Sequence, residues 1–322
     1  MDLNHAQVIE QVIKQLDEKY VYPELAQQIN AFIQGRVEKY SAITDAEAFA
    51  QAVTEDMQAV SHDKHLRLRY NPQLAAALLL QNEADDQAAL EKWLQSIVEE
   101  NYGFKRLEYL AGGIGYLDLR LLPPPFAAGD VAVGAMAFLA NAKALIFDLR
   151  KNAGGAPEMV QFLISYLFDD EIRHLNDIYI RPFDSTTHYW TLPYVPGKRM
   201  PDVDVYVLTS SSTFSGGEEF SYNLKAMERA TLIGETTGGG AHPGRDFAID
   251  EQFTLFVPGG RPINPITQTN WEGTGVTPHV EVPAADALKV AHKMALEKLI
   301  EKASTDEDRQ AAQQALTDAG LT

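Results

Sequence analysis

The stretch VYVLTSSSTFSGGEEFSYNLK (205–225) decides the fold. Val205 to Thr209 is a short continuous apolar run rich in β-branched residues, the pattern of a strand covered on both faces. Small residues follow, and a helical pattern runs from Gly217 to about Met227. The same order occurs upstream in ALIFDLRKNAGGAPEMV (144–160). There a buried strand, Ala144 to Leu149, ends in a glycine turn, Arg150 to Gly155, that feeds a helix from Met159 to Phe168. Downstream, Ala230 to Gly234 makes a further strand. Two strand–turn–helix units in succession imply an α/β fold with a parallel or mixed sheet and covering helices. Gly113 to Leu119 adds a strand before them, and Gly129 to Asn141 an alanine-rich helix.

Toward the N-terminus the texture is helical. Val8, Ile9, Val12, Ile13 and Leu16 recur at helical spacing within residues 2 to 20. Tyr22-Pro23 ends that helix or bends the chain. Leu25, Ile29, Ile33 and Val37 continue the pattern from Glu24 to Lys39, and Thr44-Asp45-Ala46-Glu47 matches a capping box before Phe49, Val53 and Met57. His65 to Tyr70 alternates like a strand. Leu74 to Glu100 reads as helix, with an acidic turn at Glu83 to Asp86. The expected division is an N-terminal three-helix domain at 1–75, a helical connector at 76–104, an α/β core at 105–300 and a helical tail at 301–322. The amphipathic N-terminal helices suit a packed accessory domain, a lid, or a surface for homo-oligomerisation.

Composition narrows the chemistry. With 322 residues, 45% of them hydrophobic, the chain buries a sizeable core. A net charge of −18, with no clustered Lys and Arg, disfavours a nucleic-acid partner. The absence of cysteine excludes disulfides, thiolate metal sites and a cysteine nucleophile. There is no His-Glu-x-x-His, no EF-hand loop and no nucleotide-binding glycine loop, so neither metal nor cofactor is expected. No apolar run approaches the ~18 residues of a membrane span. The opening Met-Asp-Leu-Asn-His lacks a basic stretch followed by an apolar one. The reading is a cytoplasmic protein, or an extracytoplasmic one whose export signal has been removed.

Ser215 sits where a buried strand hands over to a helix, so the helix N-terminal amides point at anything bound there. Such N–H groups stabilise the oxyanion formed when a serine attacks a carbonyl. Gly216 and Gly217 present amides with no side chain in the way, and Gly154 or Gly155 supplies a second donor. Ser210, Ser211 and Ser212 offer competing hydroxyls, a helix-capping role accounts equally well for the turn, and the segment itself does not choose. A serine nucleophile needs a base. Among the eight histidines, His65 and His62 lie beside Asp63, and His242 follows the run Gly238 to Gly240. Spacing leaves both regions open.

With those residues in place the chain resembles the C-terminal processing (tail-specific) serine peptidase family, in its interphotoreceptor retinoid-binding-protein-like and tricorn-core-like branch. The segments VSHDKHLRLRY (60–70), GGIGYLDLR (112–120), 144–160, 205–225, RATLIGETTGGG (229–240) and NWEGTGVTPHVEVP (270–283) fall in the family order. The resemblance implies a crotonase-like ββα superhelix core. It implies Ser215 as nucleophile, Gly216 and the Gly154-Gly155 turn as oxyanion donors, His65 as general base and Glu272 as the acid that orients it. The lysine of the serine–lysine branch falls on Gly240, which cannot act as a base. Lys64 stands where the tricorn-like branch has a further serine, leaving Ser61 as a nearby hydroxyl. His279 stands where the closing motif has an aspartate. The segment that holds a PDZ domain in tail-specific peptidases is missing.

The expected function is therefore hydrolysis of peptides or unfolded proteins through an acyl-enzyme. Two alternatives remain open. The chain binds an apolar, retinoid- or lipid-like ligand without catalysis, or it is an esterase for small substrates. Tyr179, Phe183, Tyr189, Trp190 and Tyr194, with Pro182 and Pro193, form either a surface loop cluster or the lining of an apolar pocket.

Overall fold

A computed structural model describes residues 4–80 and 83–322. The first helices are α1 (His5–Lys19), α2 (Pro23–Gln34), α3 (Val37–Ser41) and α4 (Ala46–Ser61), followed by β1 (Arg67–Tyr70), α5 (Pro72–Leu79) and α6 (Glu83–Val98). Then come β2 (Phe104–Leu110), β3 (Ile114–Leu119), α7 (Pro125–Leu139), β4 (Ala144–Asp148), α8 (Pro157–Ser165), β5 (His174–Ile180) and β6 (Ser185–Trp190). The rest is β7 (Asp204–Thr209), α9 (Gly216–Ala226), β8 (Thr231–Gly234), β9 (Gly244–Ala248), β10 (Phe253–Pro258), β11 (Gly260–Ile263), β12 (Val280–Glu281), α10 (Ala287–Lys302) and α11 (Asp306–Asp318). Among the described residues no helix is long and apolar enough to cross a membrane.

The chain packs as two units that are discontinuous in sequence. The first comprises residues 1–93, 177–187 and 240–263. Its core joins Val8, Ile9, Val12 and Leu16 of α1, Ile29 and Ile33 of α2, and Phe49, Val53 and Met57 of α4 to Phe253, Leu255 and Val257 of β10. The helical periodicity read from the sequence is thus the buried face. The strands that cover it arrive about 180 residues later, in the antiparallel sheet β1-β10-β9. Three local expectations shift. The helix read over 24–39 breaks at Gly35, a poor helix former that caps α2. The cap of α4 is Asp45 rather than Thr44, and its side chain accepts the Ala48 N–H at 2.8 Å. The acidic segment Glu83 to Asp86 opens α6 instead of forming a turn.

The second unit comprises residues 94–176, 188–239 and 264–322. It holds a six-stranded mixed sheet in the order β12-β8-β7-β4-β3-β2, parallel throughout except for the β2–β3 pair. Leu145, Phe147, Val207 and Leu232 are fully buried, as the continuous apolar runs require. One face packs on α10, where Ala287, Ala291, Ala295 and Leu296 meet Ile146, Tyr206 and Leu208. The fold is α/β with a crotonase-like core and an N-terminal helical domain. All the parallel strands end on one edge, and that edge carries the β4–α8 and β7–α9 turns.

Candidate active site

In the second unit the β7–α9 turn is pinned from below. Thr213 is fully buried; its hydroxyl donates to the Leu149 carbonyl at 2.7 Å and accepts the Ser210 N–H at 3.0 Å. Phe214 N–H donates to the Asn152 carbonyl at 3.0 Å. Asn152, also fully buried, donates from Nδ2 to the Leu119 carbonyl and accepts the Gly154 N–H at 2.8 Å. One asparagine therefore ties together the ends of β3, β4 and β7.

Ser215 then adopts φ 51° and ψ −121°, a conformation that a residue with a Cβ rarely takes. Such strain persists only where the surroundings over-determine it, and it concentrates at functional sites. This separates Ser215 from its competitors. Ser210 has its hydroxyl committed to the Arg150 carbonyl at 2.5 Å. Neither Ser210, Ser211 nor Ser212 has a positive φ.

The glycine turn lies against Ser215. A Cβ on Gly154 would stand 2.6 Å from the Ser215 Cβ and 2.9 Å from the Gly216 nitrogen. A Cβ on Gly216 would stand 2.9 Å from the Gly155 nitrogen. Only glycine permits that approach, which answers to the glycines in both motifs. The structure brings Gly154, Gly155, Ser215 and Gly216 together. The Gly154 amide is engaged by Asn152, whereas those of Gly155 and Gly216 have no acceptor among the described residues.

Behind the turn lies a buried carboxylate that sequence reasoning overlooked. Glu218 is fully buried in the first turn of α9. Its Oε2 accepts the Ser215 N–H at 2.9 Å, and its Oε1 accepts the Thr237 hydroxyl at 2.5 Å and the Gly239 N–H at 2.6 Å. A negative charge at a helix N-terminus is favoured by the dipole. The Ser-x-x-Glu spacing of Ser215 and Glu218 was the available signal. Thr237 and Gly239 in turn hold the loop of Glu272. Val276 N–H donates to the Thr237 hydroxyl at 2.7 Å, and Gly273 N–H to the Gly239 carbonyl at 3.0 Å. Trp271, buried and packed on Tyr222 with ring centres 5.3 Å apart, anchors that loop. Glu272 itself is half-buried, its N–H bonded to Asn270 Oδ1 at 2.9 Å.

His65 belongs to the first unit. The helix α4 ends at His62 in a left-handed conformation, φ 57°. The chain then turns through Asp63, a fully buried carboxylate. Asp63 accepts the His65 N–H at 3.0 Å, the Tyr20 hydroxyl at 3.3 Å and the His242 Nδ1 at 2.8 Å. His242, the other candidate base, is thus the buried partner of Asp63. Ser61 donates its hydroxyl to the Met57 carbonyl and accepts the Asp63 N–H, which occupies it within the turn. The His65 ring lies over Phe256, centres 5.9 Å apart. Burial lowers the His65 pKa to about 4; Asp63 opposes the shift, and His242, Arg67 and Arg69 add to it. The imidazole is neutral at neutral pH, the form a general base requires.

The fold is that of a serine-type peptidase. Residues 114–282 match the profile of peptidase family S41, and residues 3–101 match the N-terminal domain of that family as found in eukaryotic IRBP. The chain belongs to peptidase family S41. Among solved structures it is similar to a protein of Parabacteroides merdae at 16% identity, covering 94% of this chain and 100% of that one with a TM-score of 0.59. It is similar to mature CPAF complexed with lactacystin at 13% identity, covering 98% and 99% with a TM-score of 0.60. It also resembles the photosystem II D1 C-terminal processing protease at 14% identity, covering 88% and 94% with a TM-score of 0.53.

Proposed function

We propose that this peptidase cleaves peptide bonds through an acyl-enzyme on Ser215, with His65 as general base and Glu272 as the carboxylate that orients it. The reaction begins when Ser215 Oγ attacks the scissile carbonyl carbon as His65 takes the hydroxyl proton. The carbonyl oxygen becomes an oxyanion, held by the N–H groups of Gly216 and Gly155, with Gly154 shaping the turn. Each such donor is worth roughly 3–4 kcal/mol in the transition state. Collapse of the tetrahedral intermediate breaks the C–N bond, and the leaving amine takes the proton from the imidazolium. Water, deprotonated by His65, then attacks the ester and releases the second product. Glu272 stabilises the imidazolium in both halves. Peptides and unfolded proteins are the substrates this chemistry serves.

The observation that carries this reading is the backbone of Ser215, φ 51° and ψ −121°, set against two amides with no acceptor among the described residues. Hydrolysis of unfolded casein and of peptide libraries tests it. Ser215→Ala and His65→Ala should each lower kcat by roughly 10⁴ or more, and Glu272→Gln by a smaller factor, as members of a catalytic triad do. Turnover unchanged in Ser215→Ala would refute the assignment.

A second reading rests on a cavity of about 310 Å³ in the first unit, lined by Ile180, Pro182, Phe183, Phe247 and Val257 together with the basic Lys19 and Arg245. It gives an apolar ligand a place to bind. A folded protein that takes up such a ligand and hydrolyses neither peptides nor esters would favour it.

A further inference from the structure

Two histidines outside the catalytic account meet at one place in the second unit. His174 begins β5 and His188 lies in β6, neighbouring strands of one sheet. Thr191 N–H donates to the Arg173 carbonyl at 2.8 Å, and Arg173 N–H donates to the Thr191 hydroxyl at 2.9 Å. Those bonds fix the register beside the histidines. The imidazole centres are 6.0 Å apart, with the ring planes at 64°. A ring nitrogen of His174 lies within 4.8 Å of one of His188. The His174 ring is stacked on Trp190, centres 4.1 Å apart and planes 9° apart. Trp190 is held in turn through its carbonyl, which accepts Gln161 Nε2 at 2.7 Å.

We infer that His174 and His188 form a binding site for a divalent first-row transition ion of the kind that prefers imidazole, such as Cu²⁺, Ni²⁺ or Zn²⁺. An ion bound at ~2.0–2.1 Å from each ring nitrogen lies roughly 3 Å from each ring centre, so two rings that share it have centres at most about 6 Å apart. The pair stands at that limit, and a small rotation of the more exposed His188 ring closes it. Imidazole nitrogens suit these ions, whereas Ca²⁺ and Mg²⁺ prefer oxygen ligands. The Trp190 stack sets the plane of His174 in advance, which reduces the side-chain entropy lost on binding. Water completes the coordination. The bound ion clips β5 to β6, a structural role separate from hydrolysis.

Trp190 also supplies the readout, because Cu²⁺ ligated by His174 sits within quenching range of the indole. Titration of the full chain with CuCl₂ is expected to quench Trp190 emission and to saturate at one equivalent. His174→Ala and His188→Gln should each weaken this phase roughly tenfold or more. Trp190→Phe should remove the quenching while calorimetry still counts the bound ion. Circular dichroism and thermal unfolding establish that the variants are folded. Zn²⁺ should raise the Tm of the wild type and not that of the double variant. Quenching of equal midpoint in wild type and both histidine variants would overturn the inference. So would a wild type with no saturable phase.

Discussion

Glu218 Oε2 accepts the backbone N–H of Ser215 at 2.9 Å, so a buried carboxylate one helical turn away holds the strained residue from behind. The same carboxylate takes the Thr237 hydroxyl and the Gly239 N–H. Glu218→Ala strips three donors of their acceptor, two of them buried and that of Ser215 half-buried. Each orphan costs about 1–3 kcal/mol, so urea unfolding should show a loss of at least roughly 3 kcal/mol. A loss below about 1 kcal/mol, the size of an ordinary surface change, would show that the three bonds are not holding the turn.

The conformation of Ser215 makes a stability prediction that is independent of catalysis. Ser215→Ala and Ser215→Gly both lack the hydroxyl, but only glycine tolerates φ 51° and ψ −121° without strain. The glycine variant should be the more stable by roughly 1 kcal/mol, the reverse of the usual order. Thermal denaturation of the pair decides it, and an alanine variant that unfolds later contradicts the strain.

Glu219 predicts a pH dependence of stability. Burial raises its carboxyl from the ordinary 4.5 to about 7, against the hydrogen bond from Asn176 Nδ2 and with help from Glu158. The folded state thus favours the protonated form. Its contribution is fully present below pH 4.5 and is lost as pH rises toward 7. A shift of that size corresponds to roughly 3 kcal/mol at most. Glu219→Gln should flatten this part of the stability–pH curve and be the more stable protein at pH 8. A wild-type curve already flat between pH 5 and 7 would show the carboxyl ionised throughout.

His65 predicts the acid limb of activity. Its pKa is lowered to about 4, principally by burial, so the neutral base persists well below the ordinary 6.5 of histidine. The kcat/KM profile of the free enzyme should therefore keep its activity down to about pH 5 and fall toward pH 4. The stability contribution of the buried neutral ring runs the same way, present above 6.5 and lost as pH falls through 4. An acid limb at 6.5 would place a solvated histidine in the role.

Much of the fold was legible in local pattern. The apolar runs at 144–149 and 205–209 are strands because both faces are covered. The helical stripes of α1, α2 and α4 are the buried face of the first unit. What local pattern could not carry was long-range. Strands β9 and β10 complete a core begun about 180 residues earlier, and 185–190, almost wholly exposed, pairs as β6. The positive φ of Ser215, which Ser210 lacks, is likewise a backbone angle that local pattern does not show. His242 as partner of Asp63 needed a contact across 179 residues. Glu218, by contrast, stood at a recognisable capping spacing from Ser215 and was read only as part of a motif.

The central claim is that Ser215 is an activated nucleophile, and covalent labelling tests it most directly. A fluorophosphonate probe incubated with the folded wild type should add one adduct, and peptide mass spectrometry should place it on Ser215, with no adduct on Ser215→Ala and a much slower one on His65→Ala. A folded wild type that never takes up the probe, or an adduct on Ser210, Ser211 or Ser212 instead, contradicts the account.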